Sequence, residues 1–370
     1  MSTSRILSFF AWCFCFVLII PPGLIAQRYK VAEIHDLPGV CSITTLGGCG
    51  IAAYGINQLG QVTGLEFQSI YFPIVNCFLY SKGTTYDLGN LPGANECWGM
   101  GINDSGQISG SAFTDHTVQA FLYSNGVFQG LGTLTPLGYS YGYGINNSGQ
   151  MTGRVDTNGT GSFHAFLYSD GVMKDLGALP NGTDSLGKGI NNIGQITGYG
   201  DTGNVTHAFI YQDNQLVDIG TLPGGTMSQG AAINDHGQVT GFSNSANAGS
   251  HAVRYAQGKM RDLGVLPGTS ESSGSALNKY GDVVGSADDP NTGFQHAFLY
   301  TDGIMKDLNN LIPRKSGWIL QGASGINDRG EIIGYGTLNG GNGLPQAFIL
   351  TPDCRNHDRG LRRDDHYCQR

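Results

Sequence analysis

Four histidines, His164, His207, His251 and His296, stand at equivalent places in a repeating chain. A ring of imidazoles is the usual raw material of a transition-metal site. The same place is filled elsewhere in the chain by Asn76, Gln119 and Gln346. Those amides share with neutral imidazole an N–H donor and an acceptor, but they are poor metal ligands. The expected role is therefore structural hydrogen bonding, with no metal and no cofactor. A second series, Asp87, Asp175, Asp218, Asp262 and Asp307, offers carboxylates for acid–base work. Spread over separate repeats they cannot converge on one substrate, and short acids of this kind commonly accept nearby backbone N–H groups. The Asn-x-x-Gly turns have the look of calcium loops at Asn103-Asp-Ser-Gly106 and Asn234-Asp-His-Gly237. Calcium needs about six to eight oxygen ligands. Asn57-Gln-Leu-Gly60 and Asn191-Asn-Ile-Gly194 supply no carboxylate, so plain hairpins are expected.

The elements that carry these residues follow from the repeat itself. Ile-Asn-x-x-Gly-Gln-Val-Thr-Gly recurs with its asparagine at Asn57, Asn103, Asn146, Asn191, Asn234, Asn278 and Asn327, at spacings of 46, 43, 45, 43, 44 and 49. His-Ala-Phe-Leu-Tyr recurs around Phe78, Phe121, Phe166, Phe209, Val253, Phe298 and Phe348, and an Asp-Leu-Gly segment follows nine residues after each of the first six, with Gly130 replacing the aspartate in the second. Each copy converts to four short strands joined by turns rich in Asn, Asp and Gly. Four strands per roughly 40–45 residues is the signature of a propeller blade. The seventh copy lacks its fourth strand, and Tyr29-Lys-Val-Ala-Glu-Ile-His-Asp-Leu37 is left over at the other end. The expected fold is all-β: a seven-bladed β-propeller whose N-terminal segment supplies the outer strand of the last blade. Such closure leaves no sheet edge exposed. An open β-solenoid is the rival, but it requires polar capping repeats.

Loop lengths distinguish the two rims of this ring. From each repeat asparagine to the glycine ending the second strand is always seven residues, and from the third-strand aromatic position to the fourth-strand aspartate position always nine. The other connections vary: Gly64 to Phe78 is 14 residues, Gly110 to Phe121 is 11. Variable loops on a rigid scaffold are where function concentrates. The binding residues expected on that rim are Glu66, Trp98, Asp115, Tyr141, Asp156, Asp201 and Trp318. Aromatic rings stack on sugar faces and carboxylates accept sugar hydroxyls. Two such acids would also suit a glycosidase, which pairs an acid with a base or nucleophile, although short loops seldom bury a carboxyl enough to raise its pKa. No serine-elbow, P-loop, zinc-protease or dinucleotide pattern is present.

The ends are read separately. Residues 1–26 form a secretory signal: a short positive start, an apolar run from Ile6 to Ile20, Pro21-Pro22 and the small residue Ala26. Fifteen apolar residues fall short of the roughly 20 that span a bilayer, so export with cleavage is expected rather than a retained anchor. The propeller occupies 27–352. Residues 353–370 form a charged tail, solvated or, as a second choice, docked. Six cysteines remain after cleavage, Cys41, Cys49, Cys77, Cys97, Cys354 and Cys368. An even set in an exported chain reads as disulfides, here paired nearest neighbour to nearest neighbour. The composition agrees: 59 glycines, 13% charged residues and 40% hydrophobics describe a turn-rich protein with an ample core. A formal charge of −8 gives no basic surface for nucleic acid or anionic lipid.

His164-Ala-Phe-Leu-Tyr168, Asp175-Leu-Gly177 and Asp218-Ile-Gly-Thr-Leu222, interleaved with Ile-Asn-x-x-Gly-Gln, resemble the bacterial HAF family of extracellular repeat proteins. The resemblance covers roughly Tyr29 to Pro352, departing from the motif at Asn76, Gln119, Gln346 and Val253. It implies an exported repeat protein and no particular reaction. The expected function is a secreted (alternatively periplasmic), non-enzymatic, monomeric binding or scaffold module. Its expected partner is polysaccharide or a cell-surface glycan, not nucleic acid or membrane. A carbohydrate-active enzyme using the rim acids, and a self-associating surface protein, are the alternatives.

Overall fold

The structure, a computed structural model, describes residues 29–37, 50–67, 75–136, 138–159, 161–246, 249–339, 344–354 and 366–368. The signal segment, Cys41 and Cys49 lie outside the described residues. Seven four-stranded antiparallel sheets form a ring, a seven-bladed β-propeller. Six blades take consecutive strands, within 50–87, 96–130, 140–175, 185–218, 228–262 and 271–307. The seventh is composite. The closing strand Tyr29–Glu33 lies outside Gln346–Pro352, followed inward by Ile332–Leu338 and Trp318–Ile326. Its register runs from Tyr29 opposite Pro352 to Glu33 opposite Phe348. The first strand of every blade touches the first strand of the next, including blade 7 with blade 1, so the ring is closed at its axis as well as its edge.

The repeat asparagine does most to hold the turns in place. Asn146 Oδ1 accepts the N–H of Ser148 (3.1 Å) and Gln150 (3.0 Å). Its Nδ2 donates to Gln150 Oε1 (2.8 Å) and to the carbonyl of Asn191 in the next blade (3.0 Å). Equivalent amides join Asn57 to Asn103, Asn103 to Asn146, Asn191 to Asn234, Asn234 to Asn278 and Asn327 to Asn57. At the sixth blade Asn278 Nδ2 instead donates to Tyr367 Oη in the C-terminal tail (2.7 Å). These asparagines are at most 7% exposed, so every bond replaces one that water cannot supply.

Two glycines of the motif are required by geometry. Gly149 closes the turn at φ +76°, a region that L side chains avoid. Gly153 sits where a Cβ would fall 1.8 Å from the Tyr141 carbonyl, because the first strand bulges between Gly142 and Ile145. The third-strand aromatics Phe78, Phe121, Phe166, Phe209, Phe298 and Phe348 are fully buried between neighbouring sheets.

Serines stitch blade to blade. Ser185 Oγ donates to Gly177 O (2.5 Å) and accepts Ala165 N–H (2.8 Å); Ser140, Ser228 and Ser272 repeat the arrangement. Between blades 1 and 2 the equivalent residues are Cys77 and Cys97, and a disulfide joins them. A second disulfide, Cys354–Cys368, secures the tail. Two of the three nearest-neighbour pairs are thus formed, and Cys41 with Cys49 falls outside the described residues. The tail docks at its end: Tyr367 stacks edge-on to Tyr280 (6.2 Å) and hydrogen-bonds Asn278 and Asp282. The ranking that put a solvated tail first is corrected for this stretch.

Candidate functional site

The two classes of hairpin do emerge on opposite rims. On the constant-length rim, the asparagine turns of all seven blades surround a cavity of about 360 Å³ on the axis. Its polar wall is consumed by the ring: Asp104, Asp235 and Asp328 each accept the N–H of the residue after the preceding blade's asparagine (2.8, 2.8 and 2.9 Å). Among the described residues no cluster of three or more His, Cys, Asp or Glu is placed to hold a metal.

The recurrent histidines and aspartates turn out to be partners. His164 Nδ1 lies 2.9 Å from Asp175 Oδ1, and His207, His251 and His296 stand similarly against Asp218, Asp262 and Asp307. Each of these aspartates also accepts the backbone N–H two residues on, as Asp175 does from Gly177 (2.7 Å). Both sets are therefore structural, and the pairing fastens the third strand to the fourth at the blade perimeter.

The residues expected on the variable rim divide into two groups. Asp201 accepts the N–H of Thr183 (2.7 Å) and Asp184 (2.8 Å). Burial works to raise its pKa, but these N–H donors together with the Thr183 hydroxyl hold it below the usual carboxylate range. Asp156 is 1% exposed and accepts Asn158 and Gly159 N–H, and Asp115 accepts the Asn95 amide (2.6 Å). These acids brace loops. Two expectations are corrected outright. Trp318, at the start of its strand, is partly buried and packs edge-on to buried Phe348 (5.9 Å) against the core of the seventh blade, so its ring is spent on packing. Glu66 is fully buried, since strand alternation turns it under the N-terminal segment. Its Oε2 accepts Leu37 N–H (2.7 Å), while Oε1 has no partner. Burial pushes its pKa up to about 7, with the Leu37 N–H opposing and the charges of Asp36 and Asp87 reinforcing the rise. Asp36 is also raised, chiefly by burial, with His35 opposing.

Trp98 and Tyr141 do come together, within a ridge that links blades 2 and 3. Trp98, 38% exposed, tilts against Phe113 with ring centroids 4.6 Å apart. Phe113 meets Tyr141 edge-on at 6.3 Å, and Tyr141 meets Phe163 at 6.0 Å. The Arg154 guanidinium carbon lies 4.3 Å from the Tyr141 ring centre and 4.6 Å from that of Phe163. Such contacts stiffen a surface and leave aromatic faces and a delocalised cation for a ligand. Arg154 Nε is buried without a hydrogen-bond partner, an unused donor beneath the ridge. Phe163 was not singled out from the sequence. Its place just before the His-Ala-Phe motif, in the one repeat where Arg154 faces it across the sheet, is the only signal it leaves.

The sequence matches no protein-family model and no curated protein. Similar solved structures share the fold. The β-propeller domain of the Trilobed protease from Pyrococcus furiosus is 10% identical at a TM-score of 0.51, over 69% of this chain and 81% of that one. A puromycin-hydrolyzing peptidase of Mycobacterium tuberculosis is 11% identical at 0.52, over 82% of this chain and 51% of the peptidase. TolB from Acinetobacter baumannii is 11% identical at 0.46, and the chain spans 63% of its length. At such identities these proteins share with this chain a propeller architecture. Among the described residues no helix is long and apolar enough to cross a membrane, and the two disulfides are consistent with an extracellular or periplasmic protein.

Proposed function

We propose that this protein is an exported, non-enzymatic binding module that holds a glycan on the variable-length rim. The observation that carries the reading is the ridge Trp98–Phe113–Tyr141–Phe163 with Arg154 stacked beneath it. Aromatic faces spaced along one surface suit the apolar faces of pyranose rings, and Arg154 suits a carboxylate or hydroxyl at their edge. The acids of the same rim favour binding over hydrolysis. Asp156 and Asp201 spend oxygens on loop N–H groups, and Glu66 lies beneath Leu37 rather than in a cleft. A glycosidase needs a raised acid and an ionised partner facing each other across the scissile bond. The HAF-type repeats and the signal segment support export.

A glycan array with the chain lacking residues 1–26 tests the reading. Binding is expected to fall at least tenfold in Trp98→Ala, with no product released from any bound glycan. Turnover of a bound glycan, or binding unchanged in both Trp98→Ala and Tyr141→Ala, refutes it.

A further inference from the structure

On the opposite, constant-length rim the grooves between blades repeat the same walls. A third-strand residue of one blade faces its own fourth strand and the third-strand tyrosine of the next. The third-strand residue is Leu79, Leu122, Leu167, Ile210, Leu299 or Ile349, each register-matched to the second-strand residue that follows the motif valine or isoleucine. In blade 5 it is Arg254. Its direct cross-strand partner is Arg261. Like charges placed opposite one another in an antiparallel pair destabilise a sheet, so an anion held between them would relieve the pair.

Among the described residues no ion pair within 4 Å reaches either arginine. Arg254 Nη1 donates to the Gly281 carbonyl (2.8 Å), which neutralises no charge. Arg261 makes no ion pair with a described carboxylate. Elsewhere the equivalent of Arg261 is occupied by the neighbouring blade: Gln129 donates to Tyr168 Oη (3.2 Å) and Lys174 to Tyr211 Oη (3.1 Å) and Asn214 (2.9 Å). Between blades 5 and 6 the groove instead opens into a cavity of about 370 Å³, walled by both arginines, Tyr280, Tyr300, Thr301 and Asp302. Two acids share this wall and set its charge balance against the arginines. Asp282 accepts from Asn278 and Tyr367, and Asp302 lies 3.8 Å from Lys306.

We propose that the Arg254–Arg261 cleft between blades 5 and 6 is a binding site for the carboxylate, sulfate or phosphate group of a small ligand. Guanidinium forks match planar and tetrahedral oxyanions with paired N–H donors, and the volume falls within the range of small-ligand pockets. Thr301 lines the same wall, and its hydroxyl can meet a ligand's hydroxyl beside the guanidinium groups. This site is independent of the aromatic ridge on the other rim.

Calorimetric titration at fixed ionic strength tests it, with inorganic phosphate and D-glucuronate as probes and glucose as the neutral control. Saturable binding of phosphate, glucuronate or both is expected, and which of them binds tells tetrahedral from planar oxyanion. Arg261→Gln and Arg254→Leu are each expected to weaken it at least tenfold, while Trp98→Ala leaves it unchanged. Arg254→Leu installs the side chain that blades 1, 2, 3 and 6 already carry there, so folding is expected to survive, and far-ultraviolet circular dichroism checks it. The proposal is overturned if neither anion saturates, if glucose binds as well as glucuronate, or if both arginine variants bind like the parent.

Discussion

Replacing Glu66 by glutamine while pH is varied probes how the ring is closed. Glu66 lies at the place that Ala112, Val155 and Ala287 fill in other blades, all of them 0–1% exposed. The N-terminal segment crosses above it. Ile34 N–H bonds the Ala347 carbonyl (2.9 Å), Leu37 N–H bonds Glu66, and the Thr85 hydroxyl bonds the His35 carbonyl (2.7 Å). Burial raises the Glu66 carboxyl from 4.5 to about 7. The folded state therefore binds a proton more tightly than the unfolded chain does. By linkage, stability falls as pH rises between about 4.5 and 7, because in that window the native state holds more protons than the unfolded one. At one pKa unit per ~1.4 kcal/mol, the full loss is roughly 3 kcal/mol by pH 8.

Glutamine keeps an oxygen for Leu37 N–H and carries no charge at any pH. Glu66→Gln is thus expected to match the parent at pH 5 and to exceed it by up to about 3 kcal/mol at pH 8. Urea unfolding at pH 5, 6, 7 and 8 reads the difference, and subtracting one protein from the other cancels the histidine–aspartate pairs common to both. The Asp36 and Asp87 charges both oppose ionisation of Glu66, and the neutral glutamine removes that repulsion at high pH. A difference that stays level across the series, or a parent more stable than the variant at pH 8, refutes the account.

Three further outcomes follow from the packing. The double change Cys77→Ala, Cys97→Ser rebuilds the alanine–serine stitch used by four other interfaces. Opening a loop with sequence separation 20 costs about 3 kcal/mol and the new hydrogen bond returns about 1. The variant should fold with a net loss of roughly 2 kcal/mol in denaturant unfolding; failure to fold would show that the serine stitch cannot stand in for the disulfide. Phe209→Ala should lose about 3–5 kcal/mol, the usual figure for a large cavity, and a loss below 1 would mean that the ring is not wedged between sheets. Deleting residues 29–37 strips Tyr29, Ile34 and Leu37, all at most 3% exposed, and unpairs the edge of Gln346–Pro352. A loss of roughly 5–9 kcal/mol, at 1.5–3 per buried side chain, rivals a domain's whole stability, and an unchanged melting temperature would disprove strand closure.

The architecture was legible because its causes are local and repeated seven times. A buried asparagine closing each hairpin, a glycine under a bulge and an aromatic wedge leave a periodic trace that one sequence displays without any relatives. The left-over segment Tyr29–Leu37 was readable for the same reason, since a missing fourth strand had to be filled. The site was less legible. Loop length correctly separated the rims, but residue type alone could not say which acids would be spent on backbone donors. Asp156 and Asp201 look like free carboxylates in the sequence and serve as loop braces in three dimensions. Glu66 is buried because strand parity, set by where each strand begins, decides between rim and core, and Trp318 is partly buried because its ring packs on Phe348. The histidine–aspartate pairing was hidden as well, for it depends on the register between third and fourth strands.

A chain made of seven copies supplies its own standard of comparison, and departures from it are physically costly unless something offsets them. A carboxyl in place of alanine or valine at Glu66 is offset by the Leu37 N–H and marks where the ring is latched. A disulfide in place of the serine stitch joins Cys77, which pairs with Leu65 beside Glu66, to Cys97 of the second blade. Asp282 in place of the motif glutamine accepts from Asn278 Nδ2 at 3.2 Å, against 2.8 Å for Gln150 from Asn146, and the hydroxyl of Tyr367 adds a second donor to it. Arg254 in place of leucine is the departure for which no ion pair is found among the described residues. Like charges facing each other across one strand pair beside an open cleft are what a bound oxyanion would offset, in the way that the neighbouring blades engage Gln129 and Lys174.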